Sequence, residues 1–266
     1  MSIIWLNGKI YPAEQAAISP LDRGVTLGDG LFETLRIKKG IVLHFAWHYQ
    51  RLCNGAQVLG LPVPEQDDTL QAVREFVAHA GFENGSARLT VTRGVAPRGL
   101  LPPEYCSPTV FITGATGVFR EQPVRVCMSK LVRRDELSPL SRIKSLSYLP
   151  GIVARQEAAQ IGCDDALLLN MQGRIAESTI SNIVVQTEAG LITPSVVEGA
   201  LPGIARRLLL NAGIMQEQPV FYEDIVRAQG VYLTNSLSLR TVTHLDGKPI
   251  SYHPESYGKI RDILEK

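Results

Sequence analysis

The residues of this 266-residue chain that point to a specific chemistry lie at three places. Lys144 supplies an amine, Glu177 supplies a carboxylate, and Gly203 lies in the run 200–207, where a helix is expected to begin. A lysine amine condenses with an aldehyde, a buried carboxylate holds a pyridine nitrogen protonated, and N–H groups at a helix start bind phosphate. Together the three predict a site for pyridoxal 5′-phosphate.

The residues around Glu177 favour a ligand-lined turn. Glu177 follows the strand-like residues 173–176, so we expect it at a strand end, projecting into a cleft. Beside it stand the small hydroxyl residues Ser178, Thr179 and Ser181. We therefore count Ser178 and Thr179 with Glu177 as candidate cofactor-binding residues.

The expected phosphate cradle is the helix start formed by Gly203, Ile204 and Ala205, because a helix N-terminus carries about half a positive charge and unsatisfied N–H groups. Arg51, on a predicted helix, and Ser236, after a predicted strand, are further phosphate candidates from their charge and hydroxyl chemistry. Either residue is equally compatible with a surface position.

Two arginines, Arg93 and Arg98, flank a bend rich in Gly and Pro within residues 93–100. Arginines bind carboxylates through bidentate hydrogen bonds, so the pair is a candidate clamp for a substrate. A solvated loop is the equally weighted alternative. The five histidines have no metal-ligand spacing, and no metal site is predicted.

The elements that must position these residues are mixed α/β. The expected strands are 3–6, 9–11, 31–37, 41–43, 87–92, 109–113, 124–128, 166–169, 183–185 and 231–234, and the clearest expected helices are 44–59 and 69–79. Small and turn-forming residues at 113–117 mark a boundary. We predict a small N-terminal α/β domain over residues 1–115, a linker over 116–123, and a larger C-terminal α/β domain over 124–266 that carries Lys144.

Composition limits the partners. With 27 Lys+Arg against 26 Asp+Glu, the chain has almost no net charge and so no overall electrostatic attraction for nucleic acid or an anionic membrane. The four cysteines form no zinc-like cluster, and no apolar run approaches the roughly 20 residues that span a bilayer. We expect a cytoplasmic protein that acts on a small molecule.

The motifs, in this order, resemble the class IV aminotransferases, the fold-type IV pyridoxal phosphate enzymes, over nearly the whole chain. The similar segments are 19–24, 28–34, 48–52, 143–146, 176–182 and 201–204. The resemblance implies a two-domain fold like that of D-amino acid aminotransferase, a homodimer, and a cofactor between the domains. It implies that Lys144 carries the Schiff base, that Glu177 meets the pyridine nitrogen, and that Tyr148 lies near the phenolic oxygen. The implied phosphate ligands are Arg51, Gly203, Ile204, Ala205 and Ser236.

The family includes branched-chain aminotransferases, D-amino acid aminotransferases and aminodeoxychorismate lyases. The D-amino acid enzymes are similar at residues 93–98 but continue with a histidine where this chain has Leu100. The lyases resemble it in the pattern of Arg93 and Arg98 and in a threonine at the place of Thr34. The resemblance therefore implies a lyase of folate precursor synthesis that converts 4-amino-4-deoxychorismate to 4-aminobenzoate and pyruvate. Lys144 and Thr34 are its expected catalytic residues, and Phe32, Thr34, Arg93 and Arg98 its expected substrate-binding residues.

A D-amino acid or branched-chain aminotransferase is the alternative. Tyr148 lies where the branched-chain enzymes have their tyrosine, and Glu33 before Thr34 is also found in the transaminases.

Overall fold

The computed structural model describes residues 2–117 and 119–265, which fold as two compact units. The first unit holds residues 2–117 together with Ile143–Ser147. The second unit holds Phe119–Arg142 together with residues 148–265. The main boundary falls inside the predicted linker, residues 116–123.

The first unit is an antiparallel sheet with three helices. Its strands are β1 (Ile3–Leu6), β2 (Lys9–Pro12), β3 (Gly30–Lys38), β4 (Ile41–Val42), β5 (Gly85–Thr92) and β6 (Thr109–Thr116). Its helices are α1 (Arg23–Leu27), α2 (Phe45–Leu59) and α3 (Gln66–Ala80). The strand order is β2-β1-β6-β5-β3-β4, and every neighbouring pair is antiparallel.

Alternation along β3 decides which side chains enter the core of this unit. Leu31, Leu35 and Ile37 are buried and join a cluster with Leu52 of α2 and Phe76 of α3. Because neighbouring residues of a strand point to opposite faces, Phe32, Thr34 and Arg36 belong to the other face of the sheet. One face therefore packs against the helices, and the other is left for polar and aromatic side chains.

Residues 143–147 belong to the first unit although the residues on both sides of them belong to the second. The Phe32 N–H donates to the Lys144 carbonyl at 2.9 Å, and the Leu146 N–H donates to the Gly30 carbonyl at 3.0 Å. This differs from the predicted division, which placed Lys144 in the C-terminal domain. The physical reason is that this segment satisfies its backbone polar groups on β3.

The second unit is a larger mixed sheet with four helices. Its strands are β7 (Val124–Arg134), β8 (Asp165–Asn170), β9 (Ile175–Ser178), β10 (Asn182–Thr187), β11 (Gly190–Thr193), β12 (Met215–Glu217), β13 (Gly230–Asn235), β14 (Ser238–Leu245) and β15 (Lys248–Pro249). Its helices are α4 (Leu149–Gln160), α5 (Ile204–Asn211), α6 (Tyr222–Val226) and α7 (Pro254–Leu264). The strand order is β12-β11-β10-β13-β14-β7-β8-β9, with β15 on β14.

The central strands of this sheet are buried on both faces, which accounts for their nearly continuous apolar sequence. In β10, Ile183 and Val185 join one core cluster while Val184 joins another. The second cluster includes Leu209 of α5 and Ile260 of α7. Gly203, just before α5, contacts Asn182, so the start of β10 lies beside the start of α5.

Most of the expected elements are confirmed. The predicted helices at 44–59 and 69–79 correspond to α2 and α3, and the Asn7–Gly8 turn has the expected positive φ angles of 47° and 86°. No helix in residues 2–117 or 119–265 combines the length and apolar character needed to cross a membrane.

Candidate active site

Lys144 is half-buried beside β3 in the first unit. Its carbonyl accepts the Phe32 N–H, and its Nζ atom lies 4.4 Å from the centroid of the Phe32 ring. An ammonium at this distance from an aromatic face is attracted to the ring. The backbone and the side chain of Lys144 are therefore both placed by Phe32.

Thr34 lies on the same face of β3 as Phe32, since side chains two residues apart share a face. The β3–β5 register puts Arg88 opposite Thr34, and the Arg88 Cζ atom lies 3.6 Å from the Phe32 ring centroid. Three residues predicted from the sequence, Phe32, Thr34 and Lys144, thus come together with Arg88 in the first unit.

Arg51 lies on α2 and is held by a buried carboxylate. Its Nε and Nη2 atoms donate to Glu33 at 2.8 and 2.6 Å, and the His48 Nδ1 atom lies 2.6 Å from the same carboxylate. Burial alone would raise the pKa of Glu33, but Arg51 and His48 outweigh it and lower that pKa to about 2. Burial also lowers the pKa of His48 below its usual value. The Glu33 carboxylate therefore fixes the predicted phosphate ligand Arg51 by a bidentate ion pair.

Glu177 is the third of the four residues of β9, next to the strand end at which it was expected. It is buried, with its Oε1 atom 3.1 Å from Arg134 Nε and its Oε2 atom accepting the Leu201 N–H at 2.9 Å. Arg134 also donates to the Gly199 and Ser141 carbonyls. An adjacent arginine favours the ionised carboxylate, which is the form that pairs with a protonated pyridine nitrogen.

The predicted phosphate cradle is the N-terminus of α5, with Gly203 as its N-cap residue. The Asn182 side chain donates to the Leu201 carbonyl at 2.9 Å, and a Cβ atom on Gly203 would lie 1.9 Å from Asn182 Oδ1. Only glycine fits this close approach. Glycine has no side-chain oxygen, so the N-cap residue leaves the N–H groups of the first turn uncapped.

Ser236 lies in the turn between β13 and β14, close to this cradle. The pairing of Asn182 with Thr234 sets the start of β10 beside the end of β13. The Asn235 side chain donates to Ser181 Oγ at 3.0 Å. The turn that carries Ser236 is therefore linked to the same end of the sheet.

Ser178 and Thr179 have hydroxyl contacts inside the second unit. The Ser178 hydroxyl accepts the Ser181 N–H at 3.1 Å, and the Thr179 hydroxyl donates to Asp165 at 2.5 Å. These bonds shape the turn between β9 and β10. Direct cofactor contacts of the two residues stay a prediction.

Arg93 has a different set of contacts from the one expected of a substrate clamp. It is 2% exposed, and its guanidinium donates to both oxygens of Asp29 and to the carbonyls of Leu59 and Gly60. Those bonds occupy the guanidinium on three sides, so Arg93 serves to anchor the loop that begins there. These contacts differ from those expected of a carboxylate clamp, and the substrate role of Arg93 stays a prediction.

Arg98 and Tyr148 are the remaining predicted residues. Arg98 is exposed on the loop that follows Arg93. Tyr148 is the N-cap residue of α4, and its carbonyl accepts the Ile152 N–H at 3.0 Å. Their predicted contacts with substrate and cofactor stay predictions.

The predicted residues thus form two groups, one in each unit. The first group holds Phe32, Thr34, Arg51 and Lys144, and the second holds Tyr148, Glu177, Ser178, Thr179, Gly203, Ile204, Ala205 and Ser236. Sequence reasoning missed Arg88 and Arg134. The only signal for Arg88 was its position opposite Thr34 in a β3–β5 pair, which the sequence alone does not give. No neighbouring residue indicated a role for Arg134, which lies 43 residues before Glu177.

Comparisons with known proteins identify the family and the fold. The model of the amino-transferase class IV family matches residues 30–245. A Methanocaldococcus jannaschii protein named "Putative branched-chain-amino-acid aminotransferase" is 32% identical over 260 residues, covering 93% of this chain and 89% of that protein. A "Putative 4-amino-4-deoxychorismate lyase" from Legionella pneumophila has a crystal structure that is 30% identical, with a TM-score of 0.87 over 95% of this chain and 96% of that chain.

A further structure shares the fold. The branched-chain amino acid aminotransferase of T.th., complexed with N-(5′-phosphopyridoxyl)-L-glutamate, is 23% identical, with a TM-score of 0.88 over 99% of this chain and 92% of that chain. The predicted mixed α/β fold is confirmed. The chain belongs to the amino-transferase class IV family.

Proposed function

We propose that this chain is a pyridoxal phosphate-dependent lyase that converts 4-amino-4-deoxychorismate to 4-aminobenzoate and pyruvate. The observation that carries the proposal is the half-buried Thr34, which shares a sheet face with Phe32, whose ring is 4.4 Å from Lys144 Nζ. A hydroxyl on that face can donate to the oxygen of a leaving group. The 30% identity to the Legionella pneumophila protein supports the same assignment.

The described residues fit the cofactor. Glu177, paired with Arg134, would hold the ring nitrogen, and the N–H groups of the α5 first turn would hold the phosphate, where the Gly203 backbone leaves room. Arg51 and Ser236 would add a cation and a hydroxyl to that phosphate. Pyridoxal phosphate supplies an aldehyde for the substrate amine and an electron sink for the reaction.

Lys144 carries the proton transfers. When the substrate amine takes the place of Lys144 at the cofactor aldehyde, the Lys144 amine is freed. This amine would then take the proton from the ring carbon that bears the substrate nitrogen. The bond between the ring and the enolpyruvyl oxygen would then break, and Lys144 would return the proton to the enolpyruvyl group, which leaves as pyruvate. Loss of the enolpyruvyl group makes the product ring aromatic, so the step is effectively one-way.

Thr34 positions the leaving group in this proposal. Thr34→Val removes the hydroxyl at nearly constant volume, so turnover should fall about 10²-fold, the size of a lost transition-state hydrogen bond. Thr34→Ser keeps the hydroxyl and should retain most of the activity. Equal turnover of the valine variant and the wild type would contradict the assignment.

An aminotransferase is the second candidate, favoured by the 32% identity to the Methanocaldococcus jannaschii protein. In that reaction Lys144 would remove the proton from the α carbon of an amino acid. No leaving group departs in that reaction, so the Thr34 hydroxyl would have no leaving group to position.

Two incubations separate the two candidates. In the first, the cofactor-loaded enzyme is mixed with 4-amino-4-deoxychorismate, without a keto acid acceptor, and 4-aminobenzoate and pyruvate are measured over many turnovers. Sustained formation of both products is expected for the lyase. Their absence, together with a single turnover of cofactor amination in a second incubation with a D- or branched-chain amino acid, would overturn the lyase in favour of the aminotransferase.

The homodimer and the cytoplasmic location stay predictions. Sedimentation equilibrium of the loaded enzyme tests the first, and cell fractionation tests the second.

A further inference from the structure

One face of the first-unit sheet is lined by side chains that the core does not use. On β3 these are Phe32, Thr34 and Arg36, which alternate with residues on the helix face. On β5 the exposed Arg88 lies between Ala87 and Leu89, both almost fully buried. Arg88 therefore projects away from the core, onto the face that carries Phe32.

The Phe32 ring has two cations beside it. Arg88 Cζ lies 3.6 Å from the ring centroid and Lys144 Nζ lies 4.4 Å from it. The guanidinium carbon and the ammonium nitrogen are thus no more than about 8 Å apart, the sum of those two distances. Two like charges this close repel each other, and an anion bound beside both would relieve that repulsion.

The form of the Arg88 contact suits an anion of a particular shape. A guanidinium that lies over an aromatic ring has its face covered while its N–H donors point outward in the plane. That plane matches the two oxygens of a carboxylate, which accept parallel hydrogen bonds. A lysine ammonium in the same place would act as a point charge without this directionality.

We infer that Arg88 binds the carboxylate of the substrate whose amine reacts at Lys144. The inference deepens the proposed function and rests on it, because it takes the lysine as the place where the substrate amine arrives. The spacing admits a substrate whose amine and carboxylate are a few bonds apart, as in an α-amino acid or an aminobenzoate. Thr34, opposite Arg88 in the register, lies beside the path between the two groups.

Arg88 takes the role first expected of Arg93. The Arg93 guanidinium donates to Asp29 and to two backbone carbonyls, and the Arg88 guanidinium lies over the Phe32 ring beside the lysine. The exposed Arg98 is the competing candidate. Experiments must therefore compare Arg88 with Arg98.

The test uses three ligand pairs that differ only in the carboxylate. D-Alanine, L-leucine and 4-aminobenzoate, each beside its carboxamide, are titrated into the cofactor-loaded wild type and followed by the visible cofactor band. We expect at least one carboxylate to bind about 10–100-fold more tightly than its amide, the size of a hydrogen-bonded charge pair.

Variants of the enzyme test whether Arg88 causes this preference for the carboxylate. Arg88→Ala should remove it while changing the carboxamide constant by less than about threefold, which also shows that the variant is folded and loaded. Arg88→Lys should retain part of it, because the charge stays and the fork is lost. Arg74→Ala removes the same charge from an exposed position of α3 and should leave the preference unchanged.

The outcomes separate the inference from the proposed function. If Arg88→Ala keeps the preference, if Arg98→Ala removes it instead, or if the wild type has none, the inference is overturned and the cofactor chemistry stands. If the wild type forms no visible band that borohydride removes, the proposed function fails and the inference fails with it. Loss of the preference in Arg88→Ala supports the inference whether the turnover product identifies a lyase or an aminotransferase.

Discussion

Two buried carboxylates, one in each unit, meet an arginine in different ways. In the first unit, the Glu33 side chain is 1% exposed and receives three contacts of 2.8 Å or less from Arg51 and His48. In the second unit, the Glu177 side chain is 11% exposed, and its contacts with Arg134 and the Leu201 N–H are 3.1 and 2.9 Å. The first carboxylate is enclosed by Arg51 and His48, and the second side chain keeps a small exposed fraction.

This difference separates a structural carboxylate from a ligand-binding one. Glu33 is sealed, so it acts through Arg51 by holding the guanidinium in one orientation. Glu177 is paired with Arg134 and keeps a small exposed fraction, which suits the proposed contact with a ring nitrogen. The sealed pair should therefore control the stability of its unit, while the accessible pair should control activity.

Glu33→Leu should have the largest effect on stability. Removing one partner of a buried pair leaves the Arg51 charge without the Glu33 carboxylate, so the first unit should lose about 3–5 kcal/mol of unfolding free energy. Both tryptophans, Trp5 and Trp47, lie in this unit, so fluorescence during urea unfolding reports its transition. A loss below about 1 kcal/mol would show that the pair is not an anchor.

The matched control replaces both partners. Glu33→Leu combined with Arg51→Met removes the pair without leaving a buried charge, so most of the lost stability should return. The same variant should bind the cofactor weakly, since the predicted phosphate ligand is gone. Recovery of stability without recovery of cofactor binding would separate the two effects of Arg51.

Glu177→Gln should change activity without changing the first unit. The amide keeps the shape but loses the charge that favours a protonated ring nitrogen, so kcat should fall about 10²–10³-fold, as for other lost electrostatic partners. The tryptophan-detected urea midpoint should stay at the wild-type value. A variant with unchanged kcat would remove Glu177 from the reaction.

Those features of the fold and the site that depend on neighbouring residues could be predicted from the sequence. The Asn7–Gly8 turn and the alternation of β3 identified strands, and the chemistry of Lys144, Glu177 and Gly203 identified a cofactor. These signals need only neighbouring residues. The helix α7 had such a signal too, in Pro254 at its start and in apolar residues three or four apart, but it was not assigned.

The remaining parts depend on pairings between distant residues. The first-unit placement of Lys144 follows from hydrogen bonds to β3, more than a hundred residues earlier. The sequence around Arg93 suggests a ligand for a substrate carboxylate, because it does not reveal the contact of Arg93 with Asp29, 64 residues away. Arg134 likewise has no local mark, because its meaning depends on which carboxylate the fold brings to it.

Acid should destabilise the sealed pair within a defined range. Burial would raise the Glu33 pKa, but Arg51 and His48 lower it from 4.5 to about 2 in the folded chain. A depressed carboxylate pKa stabilises the fold above pH 4.5, and this contribution, about 3 kcal/mol at most, is lost as the pH falls from 4.5 toward 2. The buried His48, whose folded pKa lies below 6.5, begins the loss at higher pH because only the unfolded chain takes up its proton there.

The tryptophan-detected urea midpoint, measured from pH 7 downward, checks this range. Glu33→Gln cannot release a proton, so its midpoint should fall less steeply below pH 4.5 than that of the wild type. Parallel curves for the two proteins would show that other carboxylates cause the acid sensitivity.

Arg134→Ala should have a smaller effect, because it acts through Glu177. Without the guanidinium, Glu177 keeps the Leu201 N–H but loses the charge that favours its ionised form, so kcat should fall about 10-fold. Arg261→Ala is the control, since Arg261 also pairs with a carboxylate of the second unit, Glu121, but is 54% exposed and should cost at most about 1 kcal/mol of stability with little change in kcat. An equal loss of kcat in both variants would mean that Arg134 does not tune Glu177.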